Sequence, residues 1–182
     1  MSARGAALAA VCLFAALGVV PVAASGQTCS APIPAGSCPA STTTTMTVGT
    51  VLQLTLTASS TILTAPATTD YDAGFVADNG PATTVKSNRS WSLHIAATAA
   101  TWTASSTQPG VAARPNKPAS DLQWSTSAAG GFAGMTVAGV TAAMGGASGG
   151  TATTYYFHAL YSWSLDTPGA YALPVVFTLT AP

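Results

Sequence analysis

The chain is nearly without charge. Of its 182 residues five are Lys or Arg, five are Asp and none is Glu, so the formal net charge is +0. So few cations make no basic field for a phosphate backbone, which excludes nucleic acid as a partner. The shortage of Glu, Lys and Arg also removes the usual builders of helices. Cysteine is sparse, at Cys12, Cys29 and Cys38. The latter two have no further Cys or nearby His to complete a zinc set, and His94 and His158 lack a third ligand at useful spacing. No metal and no cofactor is expected.

What is present begins with a targeting pattern. Arg4 precedes an apolar stretch from Ala6 to Val20, and Pro21 with "VAASG" supplies a break and small residues. This pattern predicts a secretory signal peptide over residues 1–24, cut after Ala24. Cys12 follows Val11 and Cys29 follows Thr28, so neither has the small preceding residue that lipidation needs. The remainder is one domain's worth of chain with no second apolar stretch of spanning length, hence no stable membrane span. The expected location is extracellular or at the cell surface, or periplasmic in a Gram-negative host. Cys29 and Cys38 then form an even pair in an oxidising compartment. The intervening "SAPIPAGS" can bend back, so residues 25–45 are read as a disulfide-looped N-terminal segment. Closing so short a loop contributes about 2–3 kcal/mol in the chain-entropy account.

From residue 46 to 182 the apolar period is two rather than 3.6. Val48, Leu52, Leu54 and Leu56 share one face of "VGTVLQLTLT". A weaker segment follows at Ile62-Leu63, then the turn-rich "TTDYDAGFVADNGP" and a short strand in "TTVKS". Asn88 breaks the pattern before Trp91, Leu93 and Ile95 align. Leu122 with Trp124, and Met135 with Val137, form further same-face pairs. In "YYFHALYSWSL", Tyr155, Phe157, Ala159, Tyr161, Trp163 and Leu165 all point one way. "DTPG" is a turn, after which Tyr171, Leu173, Val175, Phe177 and Leu179 share a face, so the two runs are expected to pair as a C-terminal hairpin. Pro174 places an edge or a bulge in the last strand. The sum is an all-β, immunoglobulin-like antiparallel β-sandwich of seven to nine strands. Two long irregular segments interrupt it, the Pro-rich 104–120 and the Gly-rich 138–153. The first is the expected contact surface, because Arg114 and Lys117 join charge to a restricted backbone.

Catalytic constellations fail on their own requirements. "GASGG" satisfies Gly-x-Ser-x-Gly around Ser148, but glycines surround it, a β-pattern follows, and His158 precedes Asp166, reversing the hydrolase order. A carboxylate pair for glycoside hydrolysis would need an apolar pocket that none of the five aspartates evidently has. Asp70, Asp72, Asp78 and Asn79 form an oxygen-rich group that calcium could use. The EF-hand pattern fails at Gly74 and for want of a closing Glu, and turn chemistry explains the group equally well. "NRS" at 88–90 is a glycosylation acceptor only where the transferase exists. Four Trp and five Tyr could build a sugar-stacking platform. However, Trp91, Trp124 and Trp163 sit in alternating apolar runs that predict core positions, leaving Trp102 as the exposed candidate. The chain is read as non-enzymatic.

Trp91-Ser92-Leu93 and the C-terminal "YALPVVFTLTAP" together resemble the WxL surface domain of bacterial cell-wall proteins. In that resemblance Trp91 and Leu93 stand at the first motif. Tyr171 stands at the Tyr of the distal strand, Phe177 in place of its Trp, and Leu179 at its Leu. Trp163-Ser164-Leu165 repeats the spelling but not the position. The resemblance implies a β-sandwich that associates non-covalently with a cell-wall component or other surface proteins. The expected function is therefore a secreted, surface-associated structural or adhesive protein. The alternatives are a pilus-type subunit assembling by strand exchange, with a donor segment near "TTTTMTVGT", and a carbohydrate-binding module.

Overall fold

The computed structural model describes residues 38–182. The expected signal peptide, and Cys29 with its expected bond to Cys38, lie outside the described residues. The chain divides into two compact units, Met1–Thr47 and Val48–Pro182. In the first, residues 38–47 are exposed and carry no regular secondary structure.

The regular structure of the second unit is almost wholly strand, as the period of two requires. The strands are β1 (Leu52–Leu56), β2 (Phe75–Ser87), β3 (Trp91–Ala97), β4 (Thr103–Ser105) and β5 (Leu122–Ser125). β6 (Ala133–Gly134), β7 (Val140–Gly145), β8 (Ser148–Leu160), β9 (Ala170–Ala172) and β10 (Val175–Thr180) follow, with one short α-helix, α1 (Thr68–Ala73), and a single 3-10 turn at Ala119–Asp121. All pairings are antiparallel, in a five-stranded sheet ordered β1-β2-β8-β5-β6, a three-stranded sheet ordered β10-β3-β7, and the small pair β4-β9. Ten strands exceed the expected seven to nine because β4, β6 and β9 are pieces of two or three residues.

The two larger sheets share one core. Val85 on β2, Tyr155 and Phe157 on β8, and Leu122 and Trp124 on β5 meet Trp91, Leu93 and Ile95 on β3. Alternation along β3 turns those last three inward, at 2%, 0% and 1% exposure. The Trp91 indole N–H is buried without a partner, so packing alone holds the ring. A Cβ at Gly145 would lie 2.8 Å from the Trp91 ring, so the glycine on the paired strand β7 makes room for the indole.

Several expectations are overturned, each for a local reason. The C-terminal hairpin does not form: over Tyr156–Ala159, where the hairpin would start, β8 is flanked by β2 and β5 on its two edges, and the last strand pairs with β3 instead. The alternation of β8 stops at Leu160, and a turn closed by the Asp166 N–H on the Ser162 carbonyl follows. This turn throws Trp163 and Leu165 outward, at 62% and 55% exposure. Trp102, expected outside, is buried, and its indole N–H donates to the Pro118 carbonyl at 3.1 Å. The Gly-rich segment 138–153 is mostly strand, forming β7 and the start of β8. Within the turn-rich 68–81, α1 ends at Gly74 (φ 82) and β2 already begins at Phe75, with Pro81 inside a break of register between Asn79 and Ala82. Val137 is exposed because β6 stops before it, whereas Met135 is buried. β1 begins only at Leu52 and is an edge strand, so of its expected inner face only Leu54 packs on the core. Pro174 lies between β9 and β10, and β10 is the edge the proline forecast.

Replacing Trp91 by Ala should lower stability by about 3–5 kcal/mol, as for a large aromatic lost from a core. Gly145→Ala should cost about 1–3 kcal/mol by forcing the indole to move. Urea unfolding of both variants checks this; near-wild-type stability of Trp91→Ala would contradict the assigned core position.

Candidate functional site

Two features dominate the interior between the sheets: a cluster of charges and an apolar cleft beside it. Segment 104–120 carries Arg114 and Lys117, and both turn inward rather than to solvent, correcting its reading as a charged contact surface. The Lys117 ammonium is 2.8 Å from Asp166 Oδ1, 3.2 Å from Asp121 Oδ2 and donates to the Leu160 carbonyl at 2.7 Å. Arg114 Nη1 bridges the same two carboxylates, 3.0 Å from Asp166 Oδ1 and 3.2 Å from Asp121 Oδ2. The side chains of Lys117 and Asp166 are each only 2% exposed.

So buried a pair persists only if its charges are matched and its remaining hydrogen bonds are made. Both conditions hold. Asp166 Oδ2 also accepts the Ser162 N–H at 2.8 Å, and the ammonium stands 5.0 Å from the centre of the Tyr161 ring. Burial alone would raise the Asp166 pKa. Hydrogen bonds from Lys117 and Arg114, the Lys117 charge and the Ser162 N–H outweigh it and hold the carboxyl below its ordinary value. Burial pushes the Tyr161 hydroxyl up to about 12, with Tyr71 and the carboxylates of Asp166, Asp78 and Asp70 adding to the effect.

The cleft has a volume of about 870 Å³. One wall is the inner face of the five-stranded sheet, at Leu122, Phe157 and Ala159; the other is the C-terminal run Leu173, Val175 and Phe177. Lys117, Asp166 and Tyr161 border it, and residues 58–66 line it further without forming a strand. In that stretch Leu63 packs on the core while Ile62 is 94% exposed.

The motif residues divide. Trp91 and Leu93 lie on β3 and Phe177 and Leu179 on β10, which pair directly, with Leu179 opposite Leu93 and Phe177 opposite Ile95. Tyr171 lies apart on β9, where its hydroxyl donates to the Thr167 carbonyl at 2.6 Å and accepts the Arg114 N–H at 2.9 Å. Phe177 and Tyr171 reach the cleft, whereas Trp91 and Leu93 are core.

The other candidates have local roles. Ser148 Oγ accepts the Gly150 N–H at 3.1 Å at the start of β8, with no helix after it. Asp70 accepts the Ala67 N–H at the start of α1, Asp72 the indole N–H of Trp163, and Asp78 the amide and hydroxyl of Thr64. The carboxylates thus serve separate contacts, and no group of three or more potential metal ligands occurs among the described residues. Asn88 ties the start of β1, accepting the Val51 N–H and donating to the Gly49 carbonyl. His158 is stacked between Phe75 and Phe132 at 4.3 and 3.6 Å, and burial lowers its pKa. His94 stands on β3, on the face opposite Trp91.

Sequence reasoning missed the ion cluster. Its one signal was spacing: in so charge-poor a chain, Arg114, Lys117 and Asp121 fall within eight residues. Asp166 gave no sign beyond its place in a turn. No protein-family model matches the chain, and no curated protein matches it. The geometry defines the class alone: an antiparallel β-sandwich with an apolar cleft between its sheets.

Asp166→Asn should destabilise the protein by about 3 kcal/mol at neutral pH, the low end for a broken buried pair, because Asp121 still faces both cations. A depressed folded pKa means that the stabilisation is present above the unfolded value and is lost as pH falls through the folded one. The gap between wild type and variant in urea unfolding should therefore narrow only in strong acid; a gap that closes above pH 5 would contradict the assignment.

Proposed function

We propose that this chain is a secreted structural or adhesive protein of a bacterial surface, acting by contact rather than by catalysis. The observation that carries the reading is the cleft: an apolar, chain-sized recess that opens in a sandwich whose own strands leave it unfilled. Residues that could otherwise do chemistry are engaged in holding the fold, with Lys117, Arg114, Asp121 and Asp166 in one cluster and Asp70, Asp72 and Asp78 in separate contacts. The signal pattern of residues 1–24 and the resemblance to the WxL surface domain support the location, and a Cys29–Cys38 bond belongs to the same reading. Among the described residues no helix is long and apolar enough to cross a membrane. Attachment then rests on binding, to a cell-wall component or to other surface proteins. Purified mature protein should sediment with isolated cell-wall material well above a control protein; no enrichment contradicts the proposal.

A second reading, assembly of copies by strand exchange, is favoured by one further observation. β10 is an edge strand whose inner residues Val175 and Phe177 line the cleft, so an added strand could extend the three-stranded sheet and fill the recess together. The donor would be the β-branched, uncharged stretch 42–48, in which Met46 and Val48 are 85% and 67% exposed and stand two apart. This reading predicts ladders that resist SDS and vanish in a Met46→Ser, Val48→Ser double variant. A protein that stays monomeric at high concentration would exclude it.

A further inference from the structure

The turn that follows β8 holds an aromatic ring the fold exposes at some expense. Trp163 is 62% exposed, whereas Trp91, Trp102 and Trp124 are no more than 8% exposed. An indole left in water forgoes the stabilisation that burying so large an apolar surface brings. This ring is nevertheless fixed in place. Tyr71 stacks against it with centroids 4.5 Å apart and planes 27° from parallel, and Tyr161 backs Tyr71 at 5.6 Å. Its Nε1–H donates to Asp72 Oδ1 at 3.0 Å, across 91 residues of sequence. Both anchors belong to α1, whose first turn is itself fixed by the Asp70 carboxylate on the Ala67 N–H. With one face on Tyr71 and the N–H engaged, the opposite indole face is presented flat and pre-oriented to solvent.

The geometry points to Trp163 as the platform of a carbohydrate-binding site that takes a pyranose ring of a neutral polysaccharide. Three features select that ligand. A flat, rigid apolar face matches the C–H face of a sugar ring and loses little entropy on binding, because the ring is already held. Hydroxyl and carboxylate groups accompany it: the Ser162 and Ser164 hydroxyls bond each other at 3.1 Å, and Asp72 stands at the indole edge. Sugar hydroxyls find donors and acceptors there. The chain has a formal net charge of +0, so nothing steers a charged polymer toward it. The ring stands in a turn rather than on a strand, so strand addition is not its chemistry. Trp163 itself does not line the cleft, although Tyr71 and Tyr161 behind it do, and its glycan binding does not depend on the surface-structural reading: a protein that failed to sediment with cell walls could still bind a soluble glycan.

Because the other three tryptophans are buried, acrylamide quenching of intrinsic fluorescence reports chiefly on Trp163. The mature protein is titrated with three soluble neutral polysaccharides, a β-1,3-glucan, a galactomannan and a dextran, and separately with choline chloride. The expected result is saturable protection from quenching by at least one polysaccharide. Trp163→Ala, scored by affinity electrophoresis in the same polysaccharide, should weaken binding about tenfold or more with an unchanged thermal midpoint. Asp72→Ala, which frees the indole edge, should weaken it less. Failure of all three polysaccharides to protect, or equal retardation of wild type and Trp163→Ala, would overturn the proposal. Protection by choline alone would also overturn it, assigning the face to quaternary ammonium groups.

Discussion

The ion pair between Lys117 and Asp166 fixes the path on which the rest of the sandwich depends. It joins the segment before β5 to the turn after β8, two places 49 residues apart in sequence. The same carboxylate holds the Ser162 N–H, so the cluster and the turn are one structure. Because the chain turns there, β8 ends at Leu160 and the C-terminal run crosses to the second sheet, where β10 pairs with β3. The cleft lies between those two runs, and Trp163 rides on the turn itself.

A buried charge cluster is an unusual choice for a protein with so few charges. An apolar replacement of similar volume could be as stable or more so, since desolvation offsets much of the attraction between buried ions. What the cluster adds is direction. Ammonium, guanidinium and two carboxylates satisfy one another in one arrangement, whereas the alternating Thr, Ala and Val of the strands would tolerate a shift of pairing. That specificity role suits a chain whose surface is made largely of Thr, Ser, Ala and Gly.

The sheet content was readable from residues alone where alternation was strong and local. Trp91, Leu93 and Ile95 on β3, Leu122 and Trp124 on β5, and Tyr155, Phe157 and Ala159 on β8 are buried as their spacing required. Long-range pairing was not readable. "YYFHALYSWSL" and "YALPVVFTL" read as hairpin partners because alternation continues through Trp163 and Leu165 and a turn follows. Nothing local reveals that both edges of β8 are taken by strands far away in sequence. Trp102 and Trp163 exchanged places for the same reason. Threonine neighbours suggested exposure for one and an apolar run suggested burial for the other, while the Pro118 carbonyl and the Asp72 carboxylate decided the outcome. The Gly-rich 138–153 misled because glycine count suggests a loop, yet Gly145 serves close packing against Trp91. Of the candidate sites, Trp91 and Leu93 lie on β3 and Phe177 and Leu179 on β10, strands that pair directly, whereas the cleft and the ion cluster exist only in three dimensions.

The account depends most on Asp166 being an ionised, buried partner of Lys117. Carbon-detected NMR titration of the aspartate carboxyls, read at Asp166, measures this directly. The account predicts a pKa below the ordinary 3.8 of an aspartate. A value at or above it would mean that burial outweighs the cations, and that the turn after β8 is held by something else.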